Sequence, residues 1–146
     1  MALSKDFKEF IESLNERSVQ YLIVGAYAVA FHGHPRYTKD IDIWIERSDE
    51  NIDRLLKALT DFGLGSLGFQ KEDFSNPEMI VQIGVPPNRI DILSDLEGLI
   101  FSTAFQNRKE VDLYGIKIAV IGLDDLRISK KAAGRPRDIA DLADLQ

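Results

Sequence analysis

The stretch Tyr21-Leu22-Ile23-Val24-Gly25-Ala26-Tyr27-Ala28-Val29-Ala30-Phe31, followed after a loop by Asp40-Ile41-Asp42-Ile43-Trp44-Ile45, decides how this chain folds. Residues 19–24 form a β-branched and aromatic run that ends at Gly25 and reads as a strand. The small, helix-compatible residues 26–31 then read as a short helix that stops before Gly33 and Pro35. In the second half Ile41, Ile43 and Ile45 alternate with Asp40, Asp42, Trp44 and Glu46. That is the period of a strand, with isoleucines on one face and carboxylates on the other. The expected unit is strand, glycine turn, short helix, loop, and a second strand whose acids point away from the core.

Outward from this unit, Phe7, Phe10, Ile11 and Leu14 keep helical spacing behind Ser4, a suitable N-cap. Ser48 or Asp49 caps a second amphipathic helix through Ile52, Leu55, Leu56, Leu59 and Phe62, ended by Gly63. Residues 64–77 are rich in Gly, Ser and Asn and read as a loop holding at most one short strand. Residues 79–83 and 89–93 are strand-like and joined by Gly84-Val85-Pro86-Pro87-Asn88, which suits a hairpin and forbids helix. A helix over 96–105 precedes a second hairpin, 111–113 with 116–121, turning at Tyr114-Gly115. Helices over 123–133 and 136–145 close the chain, the latter opened by Pro136 at a tolerated first-turn position. The fold class implied is α+β: one domain, 1–146, with a mixed sheet and helices packed mainly on one face so that the acid face opens into a cleft.

Composition limits the chemistry. The chain has 146 residues, 45% hydrophobic and 29% charged, which fits one folded domain and excludes disordered or collagen-like sequence. No apolar run approaches the ~20 residues that span a bilayer, and charges at Lys5, Asp6, Lys8 and Glu9 leave no signal-peptide core, so a cytoplasmic protein without a membrane partner is expected. With Cys 0 and His 2, thiolate chemistry and Cys- or His-rich metal sites are excluded, and any metal must be held mainly by oxygen. The net charge of −6 is opposite to a sequence-independent nucleic-acid binder, so a nucleic-acid substrate requires a local basic patch.

The carboxylates supply the site. Asp40 and Asp42 share one strand face with Cα atoms about 6.5 to 7 Å apart, close enough to reach one divalent ion. Asp91, in Arg89-Ile90-Asp91-Ile92-Leu93, again interrupts an apolar strand and is the candidate third ligand. Such an all-carboxylate site suits Mg²⁺ rather than zinc or copper. An isolated Asp-x-Asp is equally at home on a wet sheet face, and the order of segments before it is what favours chemistry.

Val24-Gly25-Ala26-Tyr27-Ala28-Val29, the short helix, the loop His32-Gly33-His34-Pro35-Arg36-Tyr37-Thr38-Lys39 and Asp40-Ile41-Asp42-Ile43 resemble the signature of the DNA polymerase beta-like nucleotidyltransferase superfamily. There a strand ends in Gly-Gly or Gly-Ser, a helix follows, an Asp-x-Asp or Asp-x-Glu comes next, and a third acid lies on a later strand, matched here by Asp91. More narrowly, residues 21–45 and the tail Lys130-Lys131-Ala132-Ala133-Gly134-Arg135-Pro136-Arg137-Asp138-Ile139-Ala140-Asp141-Leu142 resemble the minimal nucleotidyltransferases grouped with AbiEii-type toxins. The resemblance implies nucleotide binding, ATP included, and transfer of a nucleoside monophosphate to tRNA or protein, or to a small molecule such as an aminoglycoside. A toxin–antitoxin role would bring a cognate antitoxin as partner. Ala26 departs from the pattern, removing the expected hydroxyl but keeping the N–H that can face a phosphate at the strand-to-helix turn with Gly25.

Two Mg²⁺ ions, or Mn²⁺ in their place, held by Asp40, Asp42 and Asp91 suit an in-line displacement at phosphorus. The resemblance gives the third acid, Asp91, the further role of taking the acceptor proton. Arg36, Thr38 and Lys39 precede the metal strand and suit phosphate contact. Lys130, Lys131, Arg135 and Arg137 concentrate positive charge in an acidic chain and suit phosphate or acceptor binding, with a solvated helix face as the competing role. His32 suits a packed, hydrogen-bonded histidine better than a catalytic one, and Trp44 suits packing beneath a later helix better than stacking on a base. Asp138 near Pro136 suits a helix N-terminus without further function. The alternative to an enzyme is a silent nucleotide-binding or interaction module, which Ala26 favours and three retained acids disfavour, because converging carboxylates repel without a cation.

Overall fold

The computed structural model describes residues 3–33, 40–84 and 88–145. Arg36, Thr38, Lys39 and His34 lie outside the described residues, as do Val85, Pro86 and Pro87. The sheet grows from the antiparallel pair β1 (Tyr21–Val24) and β2 (Ile41–Ile45), in register Tyr21 with Ile45 and Val24 with Asp42. β4 (Ile90–Leu93) lies parallel to β2 and sets Asp91 directly beside Asp42, and β3 (Ile80–Ile83) pairs antiparallel with β4. On the other side β6 (Ile116–Val120) runs parallel to β1 and carries β5 (Lys109–Leu113) as the opposite edge. The order β3-β4-β2-β1-β6-β5 makes a mixed sheet whose two expected hairpins both form at the edges.

The isoleucine face is the hydrophobic core. Ile23, Ile41, Ile43, Ile45, Ile90 and Ile92 are all buried on it, and α1 (Lys5–Glu16) and α3 (Asp49–Asp61) cover it. The Tyr21 hydroxyl donates to Asn15 Oδ1 at 3.0 Å, and Phe10 meets Phe62 edge to face at 5.2 Å, fixing both helices against the sheet. Ser4 and Ser48 cap these helices through their side chains, accepting from Phe7 N and Asn51 N. At the far end of β2, Asn51 is fully buried. Its Oδ1 accepts from Gln20 N at 2.7 Å and its Nδ2 donates to Gln20 O at 3.0 Å and Glu46 O at 2.6 Å, tying the two central strands to α3.

The other face is not wet along its length. Trp44, expected beside the carboxylates, is buried and packs edge to face on Phe101 of α5 (Phe101–Gln106) at 5.0 Å, so α5 seals the middle of β2 and leaves only its Asp42 end open. α5 starts later than the expected 96–105. Gly98 adopts φ +82, off the helical path, and a Cβ there would sit 3.1 Å from Ala132 Cβ. The segment expected as a loop holds a 3-10 turn, Gly65–Leu67, and α4 (Lys71–Ser75). α4 is fixed by a reciprocal Gln70–Asp73 capping box and by burial of Phe74, features that a Gly- and Ser-rich composition masks. α2 (Gly25–Phe31) leads off β1, and α6 (Leu123–Ala133) and α7 (Pro136–Asp144) close the chain as expected. None of the described helices is long and apolar enough to cross a membrane.

Candidate active site

β1 ends, and α2 begins, against Asp42. Gly25 has φ +67, and a Cβ on it would lie 2.2 Å from Asp42 Oδ2, so both backbone and space require glycine. The turn thus lays its backbone directly on the carboxylate. Val24, Gly25 and Ala26 line one wall of a cleft of about 370 Å³ whose floor carries Asp42 and Asp91. The structure therefore joins Gly25, Ala26, Asp42 and Asp91 in one place, as the sequence spacing implies.

Asp91 is buried, and Arg89 grips it: Nε donates to Oδ1 at 2.8 Å and Nη2 to Oδ2 at 3.1 Å. Nη2 also lies 3.4 Å from Asp40 Oδ2, while Arg89 N donates to Asp40 Oδ1 at 3.3 Å. Asp40 thus joins the site through Arg89. The Asp42 carboxyl is pushed up to about 6, first by burial and then by the negative charge of Asp91, against the opposing pull of Arg137 and Lys130. Among the described residues no three acidic or histidine side chains are gathered closely enough to hold a metal ion. The donors nonetheless fit a divalent cation in kind: hard carboxylates on neighbouring strands, with the negative charge of Asp91 adding to the cost of ionising Asp42. The guanidinium of Arg89 already occupies both oxygens of Asp91.

The α6–α7 junction forms the facing wall. Lys130 is buried, with Nζ 2.9 Å from Asp141 Oδ2 and 3.3 Å from Asp138 Oδ1. Arg135 Nε donates to Asp138 Oδ2 at 2.6 Å, and Asp138 Oδ2 also accepts from Arg135 N, so the Asp138 carboxylate caps the start of α7. Asp138, expected to be a simple helix-end acid, is thus a fully buried hub between two cations. The four tail cations expected to act alike are divided. Lys130 and Arg135 are held in ion pairs while also lining the cleft, the exposed Arg137 lines it as well, and the exposed Lys131 does not. His32 is a packed histidine, its Nε2 2.7 Å from Ile121 O.

Sequence reading gave Arg89, Gln82 and the apolar Ile80, Leu93 and Leu96 no role, although all line the cleft. Arg89-Ile90-Asp91 carried a signal: residues two apart on a strand share a face, and an Arg there reaches the Asp. For Gln82, Ile80 and Leu96 only strand order reveals the placement, Gln82 being the cross-strand partner of Asp91.

The mixed sheet, the glycine turn and the paired strand acids define a nucleotidyltransferase-type fold. The sequence matches the family described as nucleotidyltransferase of unknown function (DUF6036) over residues 1–146, and the chain belongs to that family; it is a nucleotidyltransferase. No curated protein matches it. A solved protein from Thermotoga maritima assigned to the nucleotidyltransferases superposes with a TM-score of 0.64 at 19% identity, covering 94% of this chain and 88% of that one. The lincosamide antibiotic adenylyltransferase LnuA, solved with lincomycin, gives 0.59 at 16% identity, covering 99% and 96%. ANT(2")-Ia in complex with adenylyl-2"-tobramycin gives 0.56 at 15% identity, covering 93% and 83%. At these identities the likeness is one of fold.

Proposed function

We propose that the protein transfers a nucleoside monophosphate from an NTP, ATP among them, to an acceptor hydroxyl in a Mg²⁺-dependent reaction that releases pyrophosphate. The observation that carries this reading is the adjacency of Asp42 and Asp91 on paired strands at the mouth of a glycine turn that abuts Asp42. Asp40, Asp42 and Asp91 are the residues to hold the cation, of which two ions are expected and for which Mn²⁺ can substitute. Bound there, divalent ions supply positive charge at the attacking and leaving oxygens of the displacement. The chain's own residues do the rest. Gly25 and Ala26 line the cleft wall, their backbone N–H groups being the ones to meet a phosphate, and Arg137 supplies a cation on the same lining. Arg36, Thr38 and Lys39 are the phosphate contacts read from the sequence, and Lys130, Lys131 and Arg135 the further candidates. Lys130 and Arg135 act by holding α7 in place through Asp138 and Asp141. Asp91 is suited to take the acceptor proton at a carboxylate oxygen once Arg89 releases it.

The toxin-like resemblance of the tail supports tRNA or protein as acceptor, a cognate antitoxin as partner and a cytoplasmic place of action. A small-molecule acceptor is the second reading, favoured by a cleft of about 370 Å³ with Ile80, Leu93 and Leu96 on its lining. Two of the structural neighbours are solved with an antibiotic or its adenylylated form. The test incubates the protein and an Asp40→Ala, Asp42→Ala variant with Mg²⁺, each α-labelled NTP in turn, and cell extract. Label transferred by the parent alone, to RNA, protein or a small molecule, establishes the reaction and its acceptor. Nucleotide binding without transfer supports the silent module instead.

A further inference from the structure

Arg89 places a cation where the proposed chemistry needs a different one. Its fork takes both oxygens of Asp91, at 2.8 and 3.1 Å, and one arm reaches within 3.4 Å of Asp40. The pairing arises locally, because Arg89 and Asp91 are two apart on extended backbone and a planar guanidinium fits a carboxylate at two points. It also has an energetic reason. Asp91 is buried, and a carboxylate withdrawn from water without a counter-ion is strongly unfavourable. A divalent ion bound by Asp91 needs the same oxygen lone pairs and is repelled by the guanidinium, so the two cations compete for one carboxylate. Arg89 lines the cleft with its side chain 28% exposed, while its main chain stays fixed by Ile41 N, which donates to Arg89 O at 3.0 Å. Rotation of the side chain alone therefore carries the fork off Asp91 and into the cleft.

We propose that Arg89 is the resident counter-ion of Asp91 and Asp40 in the metal-free protein, and that it exchanges them for a nucleotide phosphate when a divalent cation binds. The inference rests on the metal-dependent reading above. It makes cation and nucleotide a coupled pair. The cation alone has to displace Arg89 with no anion to receive it, whereas the cation with a nucleotide offers the guanidinium a phosphate that it can bind at two points. Arg89 is thus a positioning residue toward the carboxylates and a binding residue toward the nucleotide, and the two roles respond oppositely to its removal.

The experiment measures Mn²⁺ affinity from the free-ion paramagnetic signal, with and without ATP, for the 146-residue chain and its Arg89→Gln and Arg89→Lys variants, with thermal unfolding alongside. Arg89→Gln is expected to bind Mn²⁺ alone about tenfold tighter, because no charge-assisted hydrogen bonds have to be broken, and to lose about tenfold of the enhancement that ATP gives the parent. Its metal-free Tm falls below that of the parent, and Mn²⁺ closes the gap. Arg89→Lys keeps the charge without the fork and lies between, and it carries the test by itself if Arg89→Gln does not fold. Mn²⁺ binding no tighter than the parent's in the folded variants overturns the exchange while leaving the metal site standing. Absence of Mn²⁺ binding in parent and variants alike overturns the metal-dependent reading, and the exchange with it.

Discussion

The two ends of β2 bury polar groups in opposite ways. At the Glu46 end, the Asn51 amide is neutral, fully buried and matched atom for atom with backbone partners on Gln20 and Glu46. At the Asp42 end, carboxylates stand beside each other on paired strands, one gripped by an arginine and the other with its pKa pushed up to about 6. A satisfied neutral network costs little and sets register. A cluster of like charges is unfavourable in the folded chain and becomes favourable when a cation enters. The two ends of one five-residue strand therefore hold their polar groups by opposite means.

The sharpest way to break this comparison is at the acid end. Asp42→Asn is expected to lower nucleotidyl transfer by about 100-fold or more, the scale of losing transition-state charge stabilisation, while leaving the metal-free protein folded. Radiolabel transfer and circular dichroism check both halves, and retained activity would remove Asp42 from the site. At the other end Asn51→Ala should cost about 2 to 3 kcal/mol in denaturant unfolding, since it strands backbone groups of Gln20 and Glu46. That loss should be insensitive to Mg²⁺ or nucleotide. Gly25→Ala should cost about 1 to 3 kcal/mol from its left-handed backbone alone, with added loss of metal response because the new Cβ displaces the Asp42 carboxylate.

The last test is in the pH dependence. Asp42 has a folded pKa of about 6, above its ordinary 3.8, so between those values the folded state holds a proton that the unfolded state has lost. Its contribution therefore falls as pH rises through that window, opposite to a salt-bridged acid. Metal-free Asp42→Asn should accordingly be more stable than the parent at pH 7, the difference shrinking toward pH 4. A difference that stays constant across the window would show that burial and Asp91 do not act on Asp42 as described.

The candidate site was legible where chemistry and local periodicity coincide. Asp40 and Asp42 declare themselves by interrupting an isoleucine alternation, and Asp91 by doing the same in Ile90-Asp91-Ile92, because a charged residue between buried neighbours needs a reason. Gly25 was readable as a turn, but its closeness to Asp42 was not, since that depends on the register of β1 against β2. The tail cations were readable as charge, but their ion-pair partners were not. Lys130 meets Asp138 and Asp141 only when α6 and α7 pack, whereas Arg135 reaches Asp138 locally, three residues on in the first turn of α7. Trp44, read as packing beneath a later helix, does so, but that the covering residue is Phe101 of α5 follows only from the packing.

By itself the sequence determined the central elements, the two edge hairpins, the capped helices and the three acids. These depend on neighbours within a turn or a strand, where side-chain period, capping and glycine placement act through short-range sterics and hydrogen bonds. Only the tertiary structure decided that Asp42 faces Asp91, that Arg89 reaches Asp40 as well as Asp91, and which of the basic tail residues line the cleft. Those outcomes follow from strand order and helix packing, which bring together charges dozens of residues apart, and at such close range in a partly dry cleft electrostatics is set by distance and burial rather than by position in the chain.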